Sequence, residues 1–271
     1  MKQLINTFLF LSVLSYNGIC STTTASSVVN VSNYPCQSTH LFSITQDKEI
    51  SLENDLIKIR NWQAGEKVSA ESVKVFGEEN CFQQLPINDQ IFKRIYKKSY
   101  KADCIVPKND LRYLKILHFD LQDRICLGEL ICHKDISIDL ITIFSALYKA
   151  HYPIERMVLI DTYNATDELS MRDNNTSCFN FRRISGTNVL SNHSTGHAID
   201  INPLYNPYCK KKNGKSIYQP QTAKQYLNRQ DNFPYKITKG DLCYKLFKEH
   251  GFVWGGDWNS VKDYQHFEKL K

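Results

Sequence analysis

Two short polar segments, far apart in the chain, constrain what it can fold into more than any other feature. Ser191 to Asp200 reads Ser-Asn-His-Ser-Thr-Gly-His-Ala-Ile-Asp, and Trp254 to Glu268 reads Trp-Gly-Gly-Asp-Trp-Asn-Ser-Val-Lys-Asp-Tyr-Gln-His-Phe-Glu. Together they offer imidazoles at His193 and His266 and carboxylates at Asp200 and Asp263. Two histidines and one carboxylate, with a coordination position left to water, form the ligand set of a catalytic zinc site. A further carboxylate beside that water supplies the general base that hydrolysis needs. The fold must therefore bring the two segments together.

The spacing narrows the local structure. On one helix His193 and Asp200 would share a face but sit about 10.5 Å apart along the axis, at ~1.5 Å per residue. That is too far for both to reach one metal at roughly 2 Å. Gly196 lies between them and disfavours a helix, so a loop or tight turn folds the two ends together. Ala198, Ile199 and Ile201 then read as a short buried strand carrying Asp200 into the site. Asp263 stands three residues before His266, a separation that suits a base beside a ligand better than two ligands on one metal.

The motifs Ser-x-His-x-x-Gly-x-Ala-x-Asp (191–200), Trp-Gly-Gly-x-Trp (254–258) and Asp-x-x-His-Phe (263–267) together resemble the zinc D-alanyl-D-alanine carboxypeptidase family. That family includes the vancomycin-resistance D,D-peptidases and the L-alanyl-D-glutamate endopeptidases of phage endolysins. The resemblance spans about Tyr113 to Lys271. It implies Zn2+ held by His193, Asp200 and His266, with Asp263 as general base. The family also places an Arg at the end of a Ser-Gly-Tyr-x-x-Arg-like stretch upstream of the first His. Thr176 to Arg182 matches this loosely, with Cys178 where Gly is usual, so the Arg role falls to Arg182, with Arg183 as its neighbour. The implied fold is an α+β domain shared with the signalling domain of hedgehog proteins, a small antiparallel sheet flanked by helices. The implied substrate is a peptidoglycan stem peptide.

Other residues of the motifs have expected roles around this centre. Ser191 orients the loop or hydrogen-bonds a ligand carboxylate. His197 faces solvent or substrate, since a fourth protein ligand would close the site. Trp254 and Trp258 either line a peptide groove or fill the core. Two rival readings remain. A non-catalytic zinc module of the same fold would be expected to have lost the base. A phage-type lytic enzyme fits poorly with an export signal and with the lack of a wall-anchoring repeat. Carboxypeptidase and endopeptidase differ in whether the groove closes beyond the scissile bond, which the sequence does not express.

Residues 1–20 read as a signal peptide, with Lys2, an apolar core within Leu4 to Leu14, and Gly18 and Cys20 before a cut at Ser21. Export to the periplasm, envelope or medium follows. Of nine cysteines, that cut leaves eight, none in a Cys-x-x-Cys pair, and an even count in an exported chain predicts at least one disulfide. No later stretch approaches the ~20 apolar residues of a spanning helix. The formal charge of +6 suits an anionic partner such as a bacterial wall. Lys97-Lys98 and Lys210-Lys211-Lys212 read as solvated faces, and no basic stripe interleaved with aromatics points to nucleic acid.

At 271 residues and 42% apolar, the chain can bury a substantial core. We expect a polar lead over 21–33, an N-terminal extension of unknown role over 21–90, and the peptidase domain over 91–271, acting as a monomer. Leu41–Ile44, Leu56–Ile59 and Val73–Phe76 read as short strands or a loosely ordered lead. Helices are predicted over Phe92–Tyr100, Ile138–Tyr148 (capped by Asp135) and Asp241–His250. Strands are predicted over Tyr113–Phe119, Leu127–Cys132, Met157–Ile160 and Phe252–Trp254.

Overall fold

A computed structural model describes residues 37–269 apart from 185 and 213, with side chains from residue 46 onward. The expected signal peptide and polar lead lie outside the described residues. The chain from Ser43 onward forms one compact unit, and the described residues of the unit before it, 37–42, are helical. In chain order the elements are α1 (Gln37–Asn61), β1 (Lys67–Val68), α2 (Ala70–Phe76), β2 (Gln83–Pro86), α3 (Asp89–Ile95), β3 (Leu111–Phe119), β4 (Ile125–His133) and α4 (Lys134–Lys149). They continue with α5 (Asp167–Arg172), β5 (Ala198–Asp200), β6 (Tyr208–Lys212), β7 (Lys215–Gln219), α6 (Leu242–Glu249), β8 (Val253–Trp254), β9 (Lys262–Asp263) and β10 (His266–Glu268). Every strand pair in the three sheets is antiparallel, so the chain is a mixture of helices and small antiparallel sheets.

The largest sheet runs β1-β4-β3-β2, and β3 and β4 pair along nine residues each, from Leu111 opposite His133 to Phe119 opposite Ile125. Strand alternation splits its side chains between two cores. Leu114, Ile116, Leu130 and Cys132 pack with Leu140, Ile143, Phe144 and Leu147 of α4 and with Ile199, Phe247, Trp254 and Phe267 from the C-terminal part. Tyr113, Leu117, Leu127 and Ile131 face the other way, onto Ile59, Trp62, Val73, Cys81 and Ile87. The segment 56–90 thus covers one face of the sheet.

Three expectations for that segment are corrected. Leu41–Ile44 and Leu56–Ile59 lie in α1, and Val73–Phe76 in α2. Leu56 and Ile59, three apart, make one turn of an inward helical face, a pattern that a short apolar run cannot distinguish from a strand. α2 starts at Ser69, whose Oγ accepts from the Ser72 amide at 3.2 Å. The helix expected over Phe92–Tyr100 is shorter and earlier, Asp89–Ile95, capped by Asn88. Further on, α4 begins one turn earlier than predicted and is capped by His133, whose Nδ1 accepts from the Asp135 amide at 3.3 Å. Met157–Ile160 is buried but joins no ladder; it leads into a 3-10 turn at Ile160–Tyr163. Asp241 caps α6 as its position implies, with Oδ1 2.7 Å from the Cys243 amide.

The expected disulfide is absent from the described residues. Cys81, Cys104, Cys126, Cys132, Cys178, Cys209 and Cys243 are separate thiols, and Cys36 lies outside them. Most sit singly inside the protein, where a thiol packs as a small apolar group. Burial pushes Cys81 up to about 12 and Cys126 to about 11, so both are poor nucleophiles and slow to oxidise.

Candidate metal centre

The two polar segments meet across a strand pair. β5 and β10 align so that Asp200 lies directly opposite His266, and β8 flanks β10 on its other side. His193 arrives from a 3-10 turn, Asn192–Thr195, whose first amides are capped by Ser191; the Ser191 Oγ accepts from the His193 amide at 3.3 Å. Gly196 ends the turn in the left-handed region at φ 73°, and a Cβ there would sit 2.6 Å from the His133 amide nitrogen. Only glycine lets the loop fold back this tightly. The turn, the glycine and the strand are what the spacing of His193 and Asp200 requires.

The donor atoms converge. His193 Nε2 is 3.2 Å from His266 Nδ1 and 3.3 Å from Asp200 Oδ1, and His266 Nδ1 is 3.1 Å from Asp200 Oδ1. Tetrahedral ligands about 2.0–2.1 Å from a zinc ion stand about 3.3 Å from one another, so the triangle fits three corners of such a site. The opposite ring nitrogens are anchored. His193 Nδ1 donates to the Cys178 carbonyl at 2.7 Å, and His266 Nε2 meets Glu268 Oε2 at 3.0 Å. Each anchor selects the tautomer that turns a lone pair toward the triangle. Glu268 in turn accepts from the Asn192 amide group.

Charge in the site points the same way. Asp200, Asp263 and Glu268 crowd two imidazoles with carboxylates. Burial opposes the charge on His266, but its contacts with Asp200 and Glu268 overcome that and raise it to about 10. Burial likewise works against ionised Asp200, yet His193 and His266 hold it well below the usual carboxylate range. With protein atoms alone, a protonated imidazole provides the positive charge that a dication would supply.

Asp263, on β9, lines the same cleft. Its position depends on Gly255, where a Cβ would lie 2.6 Å from the Asp263 carbonyl oxygen and 2.8 Å from its Cβ. A Cβ at Gly256 would strike the Trp254 ring at 2.4 Å. Burial lifts the Asp263 carboxyl to about 6, and its Oδ1 is shut off from solvent with no hydrogen-bond partner. A buried carboxylate oxygen without a donor costs free energy unless a ligand or substrate proton completes it.

The cleft holds about 720 Å³, and its walls include Ser191, Arg182, Arg183, Met171, Tyr208, Ile217, Trp258 and Val261. Arg182 forms an ion pair with Asp167, which also accepts from Asn180 Nδ2 at 3.0 Å. Trp254 and His197, expected at the substrate, lie elsewhere. Trp254 is 3% exposed in the core, with Nε1 donating to the Tyr264 carbonyl at 2.9 Å. The His197 ring stacks on His133 at 4.3 Å, with Nε2 3.7 Å from Asp135. These three residues form a second group of donor atoms, all within 4.8 Å of one another. A hollow of similar size, about 740 Å³, opens beside Lys67 and Tyr148, where His151 is paired with Asp123.

Two contacts of the site, Glu268 with His266 and Asp167 with Arg182, were not read from the sequence. Glu268 could have been found from strand alternation, which puts it on the same face as His266. Asp167 carried no signal, because its contact with Arg182 joins a helix start to a loop.

No curated protein and no solved structure matches the chain. A family model does, over residues 185–269, a narrower span than the expected 113–271. The match takes in His193, Asp200, Asp263 and His266 and stops three residues short of Arg182. The family model is that of D-alanyl-D-alanine carboxypeptidase, and residues 185–269 are similar to it.

Proposed function

We propose that the chain is a zinc-dependent peptidase that hydrolyses a peptide bond in peptidoglycan stem peptides. The observation that carries this is the 3.1–3.3 Å triangle of His193 Nε2, Asp200 Oδ1 and His266 Nδ1 on the wall of a peptide-sized cleft. Zinc held there would polarise the scissile carbonyl and make the attacking water more acidic. Asp263, which lines the cleft, takes the proton of that water and returns it to the leaving amine. A carboxylate so placed can accept a proton and return it within one turnover. Arg182, held by Asp167, presents its guanidinium to a substrate carboxylate or to the developing oxyanion. Ser191 and Trp258 line the cleft beside the reacting bond.

In this reading residues 91–271 form the catalytic domain, of the fold shared with hedgehog signalling domains, and residues 1–20 direct export. The buried thiols tolerate an oxidising compartment because burial raises them. A non-catalytic zinc module is disfavoured by the carboxylate of Asp263 on the wall of the same cleft. Mass spectrometry of muropeptides digested by the purified, zinc-loaded protein tests the reading. Loss of a terminal D-Ala marks a carboxypeptidase and internal cleavage an endopeptidase. Intact muropeptides overturn the proposal.

A further inference from the structure

The β6–β7 hairpin forms one wall of the cleft, and its register places charges that the metal chemistry does not use. Tyr208 pairs with Gln219, Lys210 with Ile217, and Lys212 with Lys215. Residues directly opposite one another, and alternate residues along a strand, share a face. Tyr208, Ile217 and Gln219 line the cleft. Lys210, Lys212 and Lys215 therefore stand on the cleft side of the hairpin, beyond its apolar part, and all three are exposed. Lys211, also exposed, falls on the other face.

What distinguishes this row is its placement, three lysines on one face of one hairpin. Lys58, Lys108, Lys134, Lys239 and Lys269 each have a carboxylate within 4 Å. Among the described residues, none of Lys210, Lys212 and Lys215 does. Lys212 and Lys215 instead face each other across the strands, where like charges destabilise a hairpin. An anion lying along this face would relieve that repulsion.

Distance limits what the anion can be. Tyr208 is the cross-strand partner of Asp263, so the strand leads away from the base. At ~3.3 Å per residue, Lys210 lies about 7 Å and Lys212 about 13 Å further along. An extended peptide advances by a similar step. We propose that Lys210, Lys212 and Lys215 form a subsite for carboxylates of the substrate peptide, about two to four residues from the scissile bond, so that the enzyme selects acidic stem peptides over amidated ones. This rests on the peptidase reading and adds to it which peptides the site takes.

The test compares two synthetic peptides, L-Ala-γ-D-Glu-L-Lys-D-Ala-D-Ala with the D-Glu α-carboxylate free, and the same peptide with it amidated. Binding to the zinc-loaded protein at low salt is measured by isothermal titration, separately from cleavage. We expect the wild type to bind the acidic peptide about ten-fold more tightly than the amidated one, the scale of a few exposed ion pairs. The triple variant Lys210→Gln/Lys212→Gln/Lys215→Gln should lose that preference and keep its affinity for the amidated peptide, with an unfolding temperature equal to or slightly above the wild type's. Equal wild-type affinities, or an unchanged preference in the variant, overturn the subsite. So does displacement by inorganic polyphosphate when amidation has no effect, which would mark a general polyanion surface. A preserved binding preference without hydrolysis of either peptide or of muropeptides would instead sink the peptidase reading alone.

Discussion

Glu129 on β4 and Asp263 on β9 are both carboxylates drawn in from solvent, and their surroundings differ in kind. Glu129, 1% exposed, receives both terminal nitrogens of Arg94, the Tyr113 hydroxyl at 2.7 Å and, at 3.4 Å, the Leu159 amide. Burial and the neighbouring carboxylate push the Tyr113 hydroxyl far up, so it stays a donor. Asp263 has an oxygen with no donor and a carboxyl lifted by burial. A satisfied buried acid holds a structure together. An unsatisfied one in a cleft is a reactive group awaiting a partner. The satisfied acid belongs to the large sheet and the unsatisfied one to the small sheets of the metal centre, which separates scaffold from chemistry within one compact unit.

The comparison breaks hardest at the metal ligands. His193→Ala removes one corner of the triangle, and zinc measured by elemental analysis should fall from about one per chain to near none. Muropeptide cleavage should disappear with it, as it should when a chelator strips the wild type. Full zinc content in this variant would refute the ligand assignment.

Asp263→Asn sharpens the contrast. It keeps shape but removes the proton acceptor, so kcat should drop by about 10²–10⁴-fold with zinc retained. The unfolding temperature should change little, since Asn fills the same space and keeps an oxygen for the contact with Gln265. Undiminished turnover would transfer the base role to another carboxylate.

Glu129→Gln is the mirror experiment. Leaving Arg94 without its counter-charge should cost about 2 kcal/mol, below the ~3–5 kcal/mol of a fully buried pair because the Arg94 side chain keeps 41% exposure. That corresponds to roughly 4–8 °C in Tm for a domain of this size. Activity per folded molecule should stay constant. A loss of kcat without a loss of stability would contradict the division into scaffold and chemistry.

The smallest effect is expected at Glu268→Gln, which still fills the space beside His266 Nε2 but removes the charge. Zinc affinity should weaken by about 10–100-fold, read by competition with a chelator. Unchanged affinity would show that Glu268 does not orient the ligand.

How far the chain could be read depended on how local each feature is. The buried strand at Ala198–Asp200 and the turn at Gly196 were legible because spacing and a glycine constrain a few adjacent residues. The strands at 111–119 and 125–133 were legible from their apolar runs. α1 and α2 were misread, since short apolar runs such as Leu56–Ile59 fit either period until Ile59 and Val73 are seen packed under the sheet. Trp254 was ambiguous for a related reason. A tryptophan beside two glycines suits a groove or a core, and contact with Phe267 and Tyr264 decides for the core.

The residue types and their order were enough to pick out the candidate centre: two imidazoles and two carboxylates, each set by its own short motif. Folding decided everything that depends on register between distant segments. It put Asp200 opposite His266, gave His193 the Cys178 carbonyl, tied Arg182 to Asp167, and set Lys210, Lys212 and Lys215 on the hairpin face shared with Tyr208, Ile217 and Gln219. The reason is physical. Donor chemistry resides in single side chains, whereas in a strand a slip of one residue moves every side chain to the opposite face, and only packing of the whole unit selects the register.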